Sequence, residues 1–370
     1  MPRVAVVGSG PGGLAAARRL KERAGESVEV LLFERSGASE YLPGTIPVFL
    51  GQAPRARWRQ QLSLGGVEVR PDEVEEVSGG GVKTGGGWVE ADAVVAAPGL
   101  VLDPGRLPAA PNLYAFWDPE GAERASDAAR GFRGGTVAVV ISSLPYRCPP
   151  APYAMAMELA AYYRGEGRDV RVLLTTPEEA PMAALGGGVP EFLRESCADA
   201  GVELVAGLEP DAARLETGRL LPRDGAAADF DVAFVVPPHK RSALLAGLPD
   251  GGPLVRVSSR FESGEPGLFV VGDAAMVPLP RAADVAAAGG RTAADAVLER
   301  LGLSDVREPH LPEPECYVGH GGGLYSRISL RYPDGLPPAG SAQVMIEGPS
   351  RGLAAGFEKS FDRWRELRGG

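Results

Sequence analysis

An α/β chain built on two parallel-sheet domains plus a C-terminal segment is predicted by three observations. Residues 4–7 are an apolar run that leads directly into Gly8-Ser9-Gly10-Pro11-Gly12-Gly13, after which helical spacing holds from Leu14 to Arg23. Two later apolar runs, 92–97 and 267–271, each end in a turn of small residues. A third group, 136–141, 170–174 and 232–236, is apolar throughout and reads as the buried parallel strands of a second sheet. Both domains are therefore expected to be Rossmann-like.

The first unit is the most specific. Strand, glycine turn, helix and a second strand at 28–33 ending in Glu34 make a complete dinucleotide-binding βαβ unit. Gly8 allows the tight turn and Gly10 lets the backbone reach a pyrophosphate. Gly13 permits close helix packing, and the Glu34 carboxylate can accept from a ribose hydroxyl.

The equivalent place in the second domain is different. Where a second glycine turn belongs, between the 136–141 strand and an apolar helix over 153–163, the chain reads Tyr146-Arg147-Cys148-Pro149-Pro150-Ala151-Pro152. A proline-rich loop offers neither free N–H groups nor room for a pyrophosphate, so no nicotinamide seat is expected there. A cysteine redox centre is expected instead.

The 370 residues suffice for two or three domains, and the net charge of −10 argues against non-specific nucleic-acid binding, which needs basic patches. Three cysteines cannot all pair, and their spacing matches no zinc cluster, so no metal site is expected. The chain opens on a strand rather than a secretory signal and has no spanning apolar window, which points to a cytoplasmic protein with at most peripheral membrane contact. Leu193 and Cys197 share helical spacing ahead of Gly201, so Cys197 is expected in the core.

Further motifs carry a resemblance. Arg147-Cys148-Pro149-Pro150-Ala151-Pro152-Tyr153, Val236-Pro237-Pro238-His239, Glu315-Cys316-Tyr317 with Gly321-Gly322-Gly323, and Tyr41-Leu42-Pro43-Gly44-Thr45 together resemble the sulfide:quinone oxidoreductase and flavocytochrome c sulfide dehydrogenase branch of the pyridine nucleotide-disulfide oxidoreductase superfamily. The resemblance runs from Arg3 to about Trp364 and implies a glutathione-reductase-type fold and FAD as cofactor. The residues it marks for FAD are Gly8, Gly10, Pro11, Gly12, Gly13, Glu34, Arg35, Thr45, Val74, Ala97, Pro98, Gly99, Gly272, Asp273, Pro280 and Ala282. In that superfamily the aspartate matching Asp273 contacts the ribityl chain and the helix matching the one opened by Pro280 points its N-terminus at the flavin pyrimidine, so the resemblance implies a positive dipole end here that would stabilise the anionic reduced flavin.

In that branch the cysteines matching Cys148 and Cys316 form a redox disulfide beside the flavin; sulfide attacks it, a persulfide forms, and a thiolate passes electrons to the flavin. The implied reaction is oxidation of sulfide or a small thiol with quinone, or alternatively cytochrome c, as acceptor. An NADH dehydrogenase-like enzyme and a non-catalytic redox-sensing flavoprotein are the other readings. Both cysteines are expected in non-helical segments open to thiol exchange, with Arg147 lowering the Cys148 pKa.

Two departures from the branch stand out. No cysteine precedes position 148, and Ala154 stands where the flavocytochrome subgroup has a glutamate, with Glu158 one helical turn later. His239 is a candidate proton acceptor; His310 in a Pro-rich connector and His320 in a glycine loop read as solvated residues.

The domains are expected at 1–105 with 260–302 for FAD, 106–259 for the second Rossmann-like unit, and 303–370 for the segment carrying Cys316 and a terminal amphipathic helix. On that helix Phe357, Phe361 and Trp364 form a stripe flanked by Lys359, Arg363, Arg365 and Arg368, expected to pack in the core, with a membrane foot as the alternative.

Overall fold

β1 (Arg3–Val7) runs into a turn at Gly8, whose φ of +98° and 2.5 Å approach of any Cβ to the Ala97 carbonyl exclude other residues. The turn opens α1 (Pro11–Ala24), which takes Pro in its first turn, where no intrahelical N–H is needed. β2 (Glu29–Phe33) then pairs parallel with β1. The sheet grows outward through β3 (Val67–Arg70) on β2, while β4 (Ala93–Ala96) pairs with the other side of β1. This computed structural model describes residues 1–208, 219–220, 228–337 and 340–367; Arg368 lies outside the described residues.

The second parallel sheet comprises β5 (Leu113–Ala115), β6 (Gly135–Ile141), β7 (Val170–Thr175), β8 (Val202–Val205) and β9 (Val232–Val236), in the order β5–β9–β6–β7–β8. Among the described residues three crossover helices serve it, the first, Pro119–Gly131, joining β5 to β6. α2 (Ala151–Gly165) joins β6 to β7 and is apolar nearly all round, with Tyr153 and Met155 fully buried, as expected of a helix enclosed on most sides. α3 (Val189–Asp199) joins β7 to β8 and buries Cys197 completely, as its spacing predicts.

The chain returns to the first sheet as β10 (Leu268–Val270), which pairs with β4, so the order becomes β10–β4–β1–β2–β3. The order therefore reverses between β1 and β4, which places a cofactor crevice at their carboxyl ends. α4 (Ala283–Arg300) packs closely on α1: a Cβ at Gly290 would stand 2.1 Å from the Gly12 carbonyl oxygen.

An antiparallel sheet of β11 (Glu315–Gly321), β12 (Leu324–Arg331) and β13 (Gln343–Ser350) follows, then α5 (Ala354–Leu367). One apolar cluster joins these parts to the second sheet and to the 41–58 segment, so the C-terminal segment has no separate core. Phe361 and Trp364 are buried in it, with Tyr41 at ring-centroid distances of 5.3 and 5.6 Å and Trp58 at 4.8 Å from Phe361. The aromatic stripe is core. Burying each ring against the fold rather than leaving it in water is worth about 1.5–3 kcal/mol.

Three sequence expectations need correction. Cys316 lies on a strand, paired with Ile328, rather than in a loop, because the residues after it alternate into a hairpin closed by Gly321, Gly322 and Gly323 at positive φ. His310 is no solvated residue: its Nε2 lies 2.8 Å from the Asp295 carboxylate, which Arg19 also grips at 2.9 Å, tying α1, α4 and the connector together. His320 sits on β11 rather than in the glycine loop, against the Phe192 ring, with its Nε2 enclosed and partnerless among the described residues.

Candidate active site

Three small-residue turns lie side by side at the carboxyl ends of β1, β4 and β10: Gly8, then Ala97-Pro98-Gly99, then Gly272. Backbone hydrogen bonds align them, Ala97 N–H to the Val7 carbonyl at 2.8 Å and Val271 N–H to the Ala96 carbonyl at 3.0 Å. Gly99 and Gly272 both have positive φ, +66° and +72°. At Gly13 a Cβ would stand 2.0 Å from the Gly8 carbonyl oxygen, whereas at Gly10 it would meet open space. Gly13 is thus required by packing, and Gly10 leaves the turn's outer face free for a phosphate.

Glu34 already has partners: its carboxylate accepts from Ser9 Oγ at 2.8 Å and from the Ser9 N–H at 3.1 Å, which fixes the turn while leaving lone pairs for a ribose hydroxyl. Arg35 is exposed, 3.7 Å from Glu73; Val74 is buried at the start of the strand Val74–Ser78; Thr45 is buried behind the 41–44 loop. Pro280 and Ala282 form the entrance to α4, with the Ala282 carbonyl accepting the Ala286 N–H at 3.0 Å.

The second half of the site is built by the 144–150 loop. Its anchors are specific: Trp117 Nε1 donates to the Arg147 carbonyl at 3.2 Å, the Arg147 guanidinium donates back to the Trp117 carbonyl, and Tyr146 Oη donates to the Pro149 carbonyl at 3.0 Å. Cys148 itself takes φ +56°, a left-handed conformation that costs a non-glycine residue about 1–3 kcal/mol and is held by its neighbours. Its N–H donates to the Arg281 carbonyl at 3.2 Å, so the loop is laid against the entrance of α4.

Cys148 and Cys316 are each half-buried, pack against the same apolar cluster, and are free thiols, as is Cys197. Cys148 and Cys316 both approach the entrance of α4: the Cys148 N–H donates to the Arg281 carbonyl there, and Glu315, the residue before Cys316, donates its N–H to Asp284 in that helix's first turn. Burial chiefly, with Asp273, pushes the Cys148 thiol up to about 11, and Arg147 opposes them. The expected lowering by Arg147 is therefore present but outweighed by desolvation. The Cys316 thiol is held higher still by burial, Cys148, Asp284 and Glu315. Cys197, in the core, is raised to about 12 by burial alone.

Around the thiols lies a cluster of charges. Burial raises the Asp273 carboxyl, while Arg281 and Arg147 pull it down. His239 Nδ1 donates to the Pro237 carbonyl at 2.9 Å, and burial with Arg147 and Arg281 drops its pKa to about 4. The imidazole is therefore neutral near pH 7, which makes it an acceptor through Nε2 but a weak proton acceptor for a thiol. Glu158 lies elsewhere, wedged between α2 and β11 with a carboxyl raised by burial; its Oε1 would be 2.4 Å from a Cβ at Gly319. Asp284 escaped the sequence reading. An acid in a first helical turn is ordinary, and only the fold sets it beside the residue preceding Cys316, where its Oδ2 accepts the Glu315 N–H at 3.2 Å.

The cleft fits a flavin dinucleotide. The free outer face of the Gly10 turn suits the pyrophosphate, Asp273 stands after the Gly272 turn, and the enclosed Arg281 Nε and His239 Nε2 have no partner among the described residues, as polar groups that await a ligand would. A profile of the NAD(P)-binding Rossmann-like domain matches residues 6–38, and one of the central part of the flavoprotein chain of flavocytochrome c sulfide dehydrogenase matches residues 130–184, the stretch that contains Cys148. The chain is an FAD-dependent oxidoreductase.

In fold the oxidoreductase is similar to the sulfide:quinone oxidoreductase of Aquifex aeolicus, with TM-score 0.81 and 16% identity over 100% of this chain and 92% of that one. It is also similar to a chain of the mitochondrial ATP synthase of Tetrahymena thermophila (0.73, 15%, over 100% and 93%) and to an NAD-dependent persulfide reductase from A. fulgidus (0.65, 17%, over 89% and 64%). So varied a set establishes the fold alone, and chemistry must be argued from the site. Within that limit the sequence resemblance to the sulfide-oxidising branch holds.

Proposed function

We propose that this FAD-dependent oxidoreductase oxidises sulfide or a related small thiol at a Cys148–Cys316 pair and passes the electrons to quinone. The reading is supported by two contacts at one helix entrance: the loop that replaces the second nucleotide turn bonds the Cys148 N–H to the Arg281 carbonyl, and the Glu315 N–H, next to Cys316, bonds Asp284 in the first turn of α4. Bound FAD would supply the two-electron acceptor. The protein's own residues do the rest. The Gly8–Gly10 turn would seat the pyrophosphate with Gly13 letting α1 pack against it, Asp273 would take the ribityl hydroxyls, and Arg147 and Arg281 hold positive charge beside Asp273.

With the pair oxidised to a disulfide, hydrosulfide attacks one sulfur, forming a persulfide S–S bond as the Cys–Cys bond breaks and the other cysteine leaves as a thiolate; rejoining of the persulfide and that thiolate as an S–S–S bridge would release one proton and the two electrons that FAD would accept. Pro149, Pro150 and Pro152 leave no second nucleotide cradle, which supports sulfur rather than nicotinamide as donor. Delivery to cytochrome c is the second reading, favoured by the 130–184 profile match. Anaerobic titration of the yellow protein with sulfide, followed by reoxidation with a soluble quinone or cytochrome c, separates these. Bleaching by sulfide and recovery with quinone are expected; a flavin unmoved by sulfide overturns the reading.

A further inference from the structure

The two thiols do not face the same charges. On the Cys148 side stand Arg147, in the same loop, and Arg281, whose carbonyl accepts the Cys148 N–H, together with Asp273, which both arginines face. On the Cys316 side stand Asp284 from the first turn of α4 and Glu315 from β11. Glu315 is neutralised by two cations, Arg327 at 3.0 Å and Arg363 at 3.1 Å. Asp284 has no such contact ion pair among the described residues: burial raises its carboxyl above the ordinary range, while the Glu315 N–H it accepts, Arg363 of α5 and Arg291 of α4 favour the carboxylate.

We propose that Asp284 is a positioning residue that keeps Cys316 protonated and so makes Cys148 the thiolate of the reduced pair. A carboxylate beside a thiol opposes its ionisation, and the effect persists in a desolvated cleft where salt does not screen it. At Cys148 the single carboxylate, Asp273, is itself faced by Arg147 and Arg281, and Arg147 favours the anion there. The inference rests on the pair reading above, but it concerns only which sulfur ionises, whatever the substrate.

Its test therefore needs no sulfide. The FAD-loaded protein, with its thiols reduced, is alkylated with iodoacetamide from pH 7 to pH 10, and modification of each cysteine is followed by peptide mass spectrometry. Cys148 is expected to react before Cys316 throughout. In Asp284→Asn, whose side-chain oxygen still accepts the Glu315 N–H, the Cys316 profile should move to lower pH by about one unit, so that its rate at a fixed pH rises about tenfold, while Cys148 moves little. Asp284→Glu, which keeps the charge, should retain the wild-type order, and the flavin spectrum reports intact folding of both. An unmoved Cys316 profile in Asp284→Asn, or Cys316 reacting first in the wild type, overturns the inference while leaving sulfide oxidation to be judged on its own assay.

Discussion

The backbone N–H of Cys148 donates to the carbonyl of Arg281 at 3.2 Å, joining the loop of the second sheet to the start of the helix that closes the first. That bond brings a cysteine to the cofactor crevice from a domain whose own nucleotide turn is gone. If Cys148 and Cys316 are a redox pair, non-reducing peptide mapping of the oxidised protein should recover them linked by a disulfide or polysulfide, with Cys197 free. A direct disulfide requires Cα atoms within about 7 Å.

Nicotinamide should fail as a donor. Because prolines occupy the second cradle, neither NADH nor NADPH is expected to bleach the flavin at a useful rate. Stopped-flow reduction by either nucleotide as fast as by sulfide would overturn this.

His239 gives the fold an acid-sensitive term. Its pKa of about 4 in the folded chain lies below the ordinary 6.5, so the unfolded state binds the proton more readily. Its contribution is present above pH 6.5 and is lost as pH falls towards 4, by about 3 kcal/mol at most. Urea midpoints of His239→Asn, which retains a donor for the Pro237 carbonyl, should vary less between pH 7 and pH 4.5 than those of the wild type.

The terminal helix should behave as core. Phe361→Ala is expected to destabilise by about 3 kcal/mol through a cavity beside Tyr41 and Trp58. Truncation after Gly348 should lower the thermal midpoint sharply, and liposome flotation of the intact protein should show no dependence on Phe361. Flotation lost in Phe361→Ala with an unchanged unfolding midpoint would show the stripe facing lipid instead.

Local pattern and global arrangement were not equally legible in the sequence. The Gly8 turn, the fully apolar strands and the buried face of Cys197 are properties of a few consecutive residues, and periodicity alone discloses them. The replacement of the second glycine turn by the Cys148 loop was legible too, because that turn has a fixed place in a βαβ unit. The pairing of His310 with Asp295 and Arg19, and of Asp284 with the residue before Cys316, was not: each joins groups brought together only by tertiary packing. The pKa of Cys148 was misjudged for a related reason. Sequence shows the adjacent arginine but not the burial that outweighs it.

The central claim, that Cys148 and Cys316 carry the electrons from sulfur to FAD, is tested most directly by anaerobic stopped-flow mixing of sulfide with the wild type and with Cys148→Ser, Cys316→Ser and Cys197→Ser. Flavin bleaching should vanish in the first two variants and persist within about twofold in the third, since a fully buried core thiol is inert. Wild-type bleaching rates in either Cys148→Ser or Cys316→Ser would contradict it.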